Sequence, residues 1–405
     1  MRILPAKRIY LDYAAATPID EGVFRAMTDT TRTVYANPSA LHKSGVKAHE
    51  RIEHSRASIA QNLFAHTDEI IFTGSGTESD ALAILGVIRS CTVDGIPHVV
   101  TTTIEHSAVL ENIRMLETNN DIEVTYIDCD EQGCINPKDI QAALRPTTVL
   151  VSVMYANNEI GTVMPISEIA KVIRHYKKEQ GQTQYPLFHT DAAQAMNYLP
   201  TENIEKLGVD LLSFNGSKMY GPKGIGVLYK KRTVVLSPLY AGGGQEYGLR
   251  SGTEDVSRIV GVAQAFEKAC RMKEKESMRL VALRDRAILK LEALSGLSGY
   301  TIIVNGDKKH RLPNNINISI EGISSELLVI ELDARGIEVS AKSACKADEP
   351  DESYVITALR KAQGKENTTT DGSLRISLGR STTNKDIDAL VKALKEIHTL
   401  YKKWK

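Results

Sequence analysis

Short apolar runs alternate with segments whose apolar residues recur every three to four positions, and the alternation covers most of the chain. "EIIFTGSG" (69–76) predicts a strand running into a glycine-rich turn, and "TESDALAILGVIRSC" (77–91) a helix opening directly after it. "PHVVTTTIEH" (97–106) predicts another short strand, and "SAVLENIRMLET" (107–118) has the 3.6-residue period of a helix. "EVTYIDCD", "TTVLVSVMYANN" and "YPLFHTDAAQ" are strand-like, with the helix "ISEIAKVIRHYKKEQG" between the last two. "VDLLSFNGSKMYGPKGIGVLYKK" (209–231) predicts two strands joined by a tight Gly/Pro turn. Strands alternating with helices in this way indicate βαβ units and a mostly parallel, buried sheet.

From about residue 256 the pattern changes to one long helical stretch, "RIVGVAQAFEKACRMKEKESMRLVALRDRAILKLEAL", and a domain boundary falls on it. Strands and helices then resume with "YTIIVNG", "NNINISI", "SSELLVIELDARG" and the final helix "NKDIDALVKALKEIHTLYKKWK". The polar stretch "KAQGKENTTTDGS" (361–373) predicts a loop. No internal repeat or low-complexity tract interrupts the pattern.

Composition narrows the function classes. The 405 residues suffice for a large core and two domains, and 42% apolar with 25% charged residues is an ordinary globular mixture. Lys+Arg and Asp+Glu balance at 50 each, which gives no charge argument for nucleic acid or an anionic membrane. No apolar run is long enough to span a bilayer, and "MRILPAKRIYLDYAAATP" lacks the pattern of a signal peptide, so a cytoplasmic location is expected. The cysteines Cys91, Cys129, Cys134, Cys270 and Cys345 form no CxxC pair and no Cys/His cluster with metal spacing, so neither a disulfide framework nor a metal site is expected. Cys129 and Cys134 flank a turn and read as structural thiols, and Cys91 and Cys270 as core residues. Cys345 differs: it lies in the polar stretch "SAKSACKADEP" (340–350), an unusual setting for a residue type that is mostly buried.

Three segments carry candidate chemistry. In "TGSGTES" (73–79) a strand, a Gly-rich turn and a helix start would present backbone N–H groups to an anion, with the Thr77 hydroxyl beside them. It lacks the ending of a P-loop and the spacing of a dinucleotide fingerprint, and many such turns bind nothing. In "FHTDAAQ" (188–194) Asp191 follows an apolar strand at the sheet's expected carboxyl end, either as the partner of a cofactor ring nitrogen or as a helix N-cap. In "NGSKMYGPKG" (215–224) Lys218 follows another strand, either partly desolvated and nucleophilic toward a carbonyl or an ordinary surface lysine, as Lys223 is read. In this order, a phosphate cradle, a strand-end acid and a lysine are what a pyridoxal phosphate enzyme requires.

With these segments in place, the sequence closely resembles the cysteine desulfurases, the NifS/IscS-like branch of the class V aminotransferase family, nearly end to end. "IYLDYAAATP" (9–18), "NPSALH" (37–42), "TGSGTES", "EHSAVL" (105–110), "NNEIGT" (157–162), "HTDAAQ", "SKMYGPKGIG", "GGGQEYGLRSGT" (242–253) and "LRISLGR" (374–380) follow in the family's order. The resemblance implies an α/β protein of the PLP-dependent transferase fold type I. Its large domain would hold a mostly parallel seven-stranded sheet flanked by helices, with a smaller α+β domain at the C-terminus. The implied division is an N-terminal segment at 1–20 packing with the small domain, a large cofactor domain at 21–262 and a small domain at 263–405 carrying the catalytic cysteine loop.

The implied site is equally specific. Lys218 would hold pyridoxal 5'-phosphate as a Schiff base and shuttle the substrate Cα proton, Asp191 would pair with the ring nitrogen, and His106 would stack on the ring face. Asn158 and Gln194 would bond the phenolic oxygen, while Gly76, Thr77, Asn215 and Ser217 would bind the phosphate. Thr253 would reach the partner subunit's phosphate in a homodimer, and Arg375 and Asn37 would grip the carboxylate of L-cysteine. Cys345 matches the cysteine that attacks the substrate's sulfur, so that alanine leaves and a persulfide forms for an iron–sulfur scaffold or thiolation carrier. The spacing from Cys345 to "SYVITALR" resembles the branch with a long, mobile catalytic loop.

The sequence also departs from the family. Ser217 stands where a His is usual and Asn215 where a Ser is common, which predicts altered phosphate contacts with binding retained. Gly74-Ser75-Gly76 is permuted from the usual order, and Lys342 and Lys346 flank Cys345 where small polar residues are usual. A selenocysteine lyase or an aminotransferase of the same fold remains an alternative, as does a non-catalytic iron–sulfur assembly scaffold. Cys345 weighs against a plain aminotransferase, and the set of Lys218, Asp191, His106 and Cys345 against the scaffold.

Overall fold

A computed structural model describes residues 8–295, 301–341, 353–365 and 372–402. Strand β1 (Ile9–Tyr10) precedes helices α1 (Glu21–Thr33) and α2 (Lys43–Leu63). There follow β2 (Ile70–Thr73), α3 (Gly76–Ser90), β3 (His98–Thr102), α4 (Ser107–Thr118), β4 (Glu123–Ile127) and α5 (Pro137–Ala143). Next come β5 (Thr148–Ser152), α6 (Ile166–Glu179), β6 (Leu187–Asp191), α7 (Ile204–Leu207), β7 (Leu211–Asn215) and β8 (Gly226–Lys230). Beyond the long α8 (Val256–Ser295) lie β9 (Ile302–Val304), β10 (Asn315–Ile320), α9 (Ser325–Ala334), β11 (Ile337–Glu338), α10 (Tyr354–Ala362), β12 (Gly372–Ser377) and α11 (Asn384–Lys402).

The described residues contain a seven-stranded sheet of order β2-β8-β7-β6-β5-β3-β4, in which β8 alone runs against its neighbours. The other pairings, β7-β6, β6-β5, β5-β3 and β3-β4, are parallel. Every residue of β2, β3, β5 and β6 is buried, as expected of strands covered on both faces by helices. Helices cover the sheet through apolar stripes: α6 buries Ile166, Ile169, Ala170 and Ile173, which share one face at helical spacing. The reversal at β8 follows from the short turn that joins it to β7, because a crossover to a parallel strand needs a dozen residues or more.

A second layer system holds the C-terminal part. An antiparallel sheet of order β12-β10-β9 and the parallel pair β1-β11 carry a core of their own, with Leu11 contributed from the N-terminus. The two cores meet on α8. Val256, Ile259, Val262, Phe266 and Ala269 pack into the large core, whereas Leu280, Leu283, Ile288, Leu291 and Leu294 pack into the small one. The change of allegiance therefore falls between Ala269 and Leu280, within one continuous helix that serves both cores. Helix α10, far along the chain, returns to the large core through Val355, Ile356 and Leu359.

Candidate active site

Because β8 is the lone reversed strand, the carboxyl ends of β2, β3, β5, β6 and β7 open on one edge of the sheet, where open α/β sheets bind ligands. A cavity of about 230 Å³ lies there. Each strand end delivers part of its lining: Gly76 and Thr77 after β2, His106 after β3, Asn158 after β5, Asp191 and Gln194 at β6, and Asn215, Ser217 and Lys218 after β7. The small domain adds Arg375, and the N-terminal segment adds Ala14 and Ala15.

Lys218 closes a single 3-10 turn, Gly216–Lys218, that interrupts the chain between β7 and β8. Its Nζ donates to the Ala15 carbonyl, and its own carbonyl accepts from Asn197 Nδ2 at 2.6 Å. Gln194 Nε2 donates to the Ala14 carbonyl at 3.0 Å, and Thr17 donates its N–H to the Ser217 carbonyl at 2.9 Å. The segment 14–17 is thus strapped across the lysine turn from several directions.

Asp191 ends β6, accepts the Ala193 N–H at 2.8 Å across the turn that follows, and lines the cavity. Burial pushes its carboxyl up, while the charges of His106 and Lys218 pull against that shift. Behind it lies Asp80, pushed well above the usual carboxylate range by burial and by the Asp191 charge. Asp80 Oδ1 is buried with no hydrogen-bond partner among the described residues and stands 3.6 Å from His189 Nε2. Burial lowers His189 to about 3, so it stays neutral between the hydroxyls of Ser152 and Ser213, at 2.9 and 3.0 Å. His106 is the N-cap of α4, its Nδ1 accepting from the Ala108 N–H at 3.1 Å, which fixes the ring at the cavity wall.

The opposite end of the cavity is built for an anion. Ser75 caps α3 by accepting the Glu78 N–H at 3.1 Å, and the helix's first turn, Gly76 and Thr77, faces the cavity. A Cβ at Gly76 would meet Asn215 Nδ2 at 2.6 Å, so a side chain there would displace the Asn215 amide from the turn. Ser217 Oγ donates to Asn215 Oδ1 at 3.0 Å, so the two residues that depart from the family pattern form one unit beside the helix end.

Of the expected site residues, Gly76, Thr77, His106, Asn158, Asp191, Gln194, Asn215, Ser217, Lys218 and Arg375 surround this one cavity. Two others do not line it. Asn37 is exposed, with Oδ1 accepting the Ser39 N–H at 2.9 Å, and Thr253 borders a neighbouring hollow of about 290 Å³ with Gly74, Arg250 and Arg258. Cys345 and the flanking Lys342 and Lys346 lie outside the described residues. Lys223 is exposed, as expected of a surface lysine, yet it stands on the cavity rim. Asp80 and Asp12 were not legible as members of the site. Asp80 sits mid-helix in an ordinary polar position, and Asp12 acts on Arg375 from 363 residues away.

The class-V aminotransferase profile matches residues 9–390. The chain belongs to this family. Among its relatives, a cysteine desulfurase IscS of Dictyoglomus turgidum is 39% identical, the match covering 98% of each chain. The cysteine desulfurase IscS of Histophilus somni is 41% identical over 98% of this chain and 95% of the relative. Among solved structures, a NifS-like protein superposes with a TM-score of 0.87 at 32% identity, covering 97% of this chain and 100% of the other. SspA in complex with cysteine superposes with a TM-score of 0.74 at 33% identity, covering 91% and 98%.

Class-V aminotransferases use pyridoxal 5'-phosphate, and this member has the residues for it. A buried Asp191 carboxylate needs a cationic partner, which a protonated ring nitrogen would supply. Asn158 Oδ1, on a side chain that lines the cavity, is buried with no partner among the described residues. The α3 N-terminus offers backbone N–H groups to a phosphate, and Lys218 places an amine within the same cavity.

Proposed function

We propose that the chain is a pyridoxal-phosphate-dependent cysteine desulfurase that converts L-cysteine to L-alanine and leaves the sulfur as a persulfide on Cys345. The observation that carries this reading is the convergence of Lys218, Asp191, His106 and Arg375 on one cavity, in a chain that also holds a cysteine in the polar segment 340–350. The four described thiols make poor nucleophiles. Burial pushes Cys91 and Cys134 up, and Cys129 and Cys270 to about 11, so none supplies a thiolate near neutral pH.

Each residue has a defined task. Lys218 Nζ holds the cofactor and moves the proton at the substrate Cα. Asp191 holds the ring nitrogen charged, His106 covers the ring face, and Asn158 and Gln194 bond the phenolic oxygen. Gly76, Thr77, Asn215 and Ser217 take the phosphate, and Arg375 takes the substrate carboxylate with Asn37. When bound, the cofactor supplies an electron sink for bond breaking next to the substrate Cα. Cys345 attacks the substrate sulfur as a thiolate: the new S–S bond forms as the Cβ–S bond breaks, and the carbon keeps the electron pair and is protonated to alanine.

Asn37 and Thr253 act across the subunit interface of a homodimer in this reading, Thr253 on the partner's phosphate. Support comes from a groove of about 580 Å³ lined by Leu41, Val46 and Tyr247, which are 97%, 44% and 55% exposed in the single chain. The enzyme works in the cytoplasm and hands its sulfur to an acceptor protein, an iron–sulfur scaffold or a thiolation carrier. No helix among the described residues is long and apolar enough to cross a membrane.

Assay of alanine and sulfide from L-cysteine under reductant tests the reaction. The wild type is expected to be yellow and to form both products. Lys218→Ala should lose the yellow absorbance, and Cys345→Ala should keep it while releasing no sulfide. A colourless reconstituted wild type, or normal turnover in Cys345→Ala, contradicts the reading.

A further inference from the structure

Arg375 sits in the middle of β12, with its backbone held on both sides: β10 pairs with it at Asn317, and Ser340 exchanges hydrogen bonds with it at 2.7 and 3.2 Å. Its side chain is 2% exposed. Nη2 donates to Asp12 Oδ1 at 3.0 Å, and Nη1 to the Asn158 carbonyl at 3.2 Å. Nε, by contrast, is buried with no partner among the described residues, at a side chain that lines the cavity. A buried, unpaired N–H of a guanidinium is costly, and the fork geometry matches a carboxylate.

Asp12 is itself fixed. Its backbone bridges Ser377 in the strand that carries Arg375, and its carbonyl accepts from Tyr10 Oη at 3.0 Å. Burial and the Asp12 charge push Tyr10 up to about 12, so the phenol remains a donor at any working pH. The Asp12 side chain is 17% exposed. One carboxylate therefore holds one nitrogen of the fork and a main-chain carbonyl holds the second, while the third is buried with no partner among the described residues.

We propose that Asp12 is a positioning residue for substrate recognition: it orients the Arg375 guanidinium so that it meets the α-carboxylate of an amino-acid substrate. This rests on the reading of Arg375 as the carboxylate grip and supplies the neighbour that Asn37, exposed and outside the cavity in the single chain, does not provide. Without Asp12 the guanidinium has one fixed contact and can turn about it. Binding of the carboxylate then weakens, while chemistry at Cα, which Lys218 performs elsewhere in the cavity, proceeds at its former rate once substrate is bound.

The test uses the holoenzyme with Asp12→Ala and Asp12→Asn. Asp12→Ala is expected to raise both KM for L-cysteine and the calorimetric Kd for L-alanine roughly tenfold, with kcat within about twofold. Asp12→Asn keeps Oδ1 as an acceptor and is expected to restore both constants to within about threefold of wild type. The yellow absorbance should be the same in all three proteins. Should the alanine variant not fold, Asp12→Ser takes its place with the same expected loss. Unchanged L-alanine affinity in Asp12→Ala, a fall in kcat alone, or an equal loss in Asp12→Asn overturns the proposal. Arg375→Lys separates the two readings: if it leaves L-alanine binding unchanged, Arg375 is not the grip. If it weakens binding while Asp12→Ala does not, only the role of Asp12 fails.

Discussion

Glu105, next to His106, accepts on Oε1 from the Met154 N–H at 2.8 Å and from Thr102 Oγ1 at 2.9 Å, while Oε2 is buried with no partner among the described residues. Burial pushes its carboxyl up from 4.5 to about 8, with the Asp191 charge adding to the shift. Between pH 4.5 and 8 the folded protein therefore keeps a proton that the unfolded chain releases. Stability is lost as pH rises through that window, by up to about 1.4 kcal/mol per pH unit. Glu105→Gln, neutral at all these values, should gain on the wild type steadily from pH 5 to pH 8 in denaturant unfolding. A constant difference at pH 5, 6.5 and 8 would contradict a neutral Glu105. This residue illustrates what the sequence hides. Lys218, Asp191 and His106 stand in ordered motifs beside predicted strand ends and could be read directly. Glu105, Asp80 and Asp12 owe their chemistry to burial and to partners remote in the chain, which neither spacing nor composition carries.

The strand–turn–helix units were legible because each has a local cause: buried β-branched runs, small residues at the turn, and an apolar stripe at helical spacing. Close approaches between elements were not. Gly226 at the start of β8 is one, since a Cβ there would lie 2.2 Å from the Ser75 carbonyl and push β8 off the turn that opens α3. The double allegiance of α8 is another, because an amphipathic stripe shows that a face is buried but not which core receives it. Phe266 of α8 is fully buried, with its ring centroid 5.2 Å from that of Phe214, one residue before the Asn215–Lys218 turn. Phe266→Ala should cost about 3–4 kcal/mol from lost burial and the cavity left behind. Because β7 loses its support beneath the lysine turn, the same variant should bind cofactor more weakly. Equilibrium unfolding and the cofactor dissociation constant check the two effects. A stability loss with unchanged cofactor affinity would place the Phe214–Phe266 contact outside the support of the site.

At the scale of the molecule, one chain gathers most of the expected site residues around one cavity and exposes Leu41, Val46 and Tyr247 along a second groove. The loop at 242–253 is set by a buried pair: Arg56 donates to both Glu246 carboxylate oxygens at 2.8 Å, and Phe72 gives its N–H to the same group. That anchor holds Glu246 and Tyr247 at positive φ, 47° and 59°, a conformation L residues adopt only when the surroundings enforce it. The strain fixes the course of a loop that carries Tyr247 to the groove and Thr253 toward the β2–α3 turn. A loop so firmly set, beside Leu41 and Val46, suits a preformed surface that meets a second copy. The protein is expected to sediment at twice the 44.5 kDa chain mass. Leu41→Asp would bury a charge at the expected dimer contact, and its desolvation should shift the protein to monomer at micromolar concentration. If Thr253 serves the partner's phosphate, the monomer must also bind cofactor more weakly, although Leu41 touches no part of the cavity. Wild-type mass and cofactor affinity in Leu41→Asp would show that this groove is not the interface. A monomer with undiminished cofactor affinity would show instead that each chain completes its phosphate site alone.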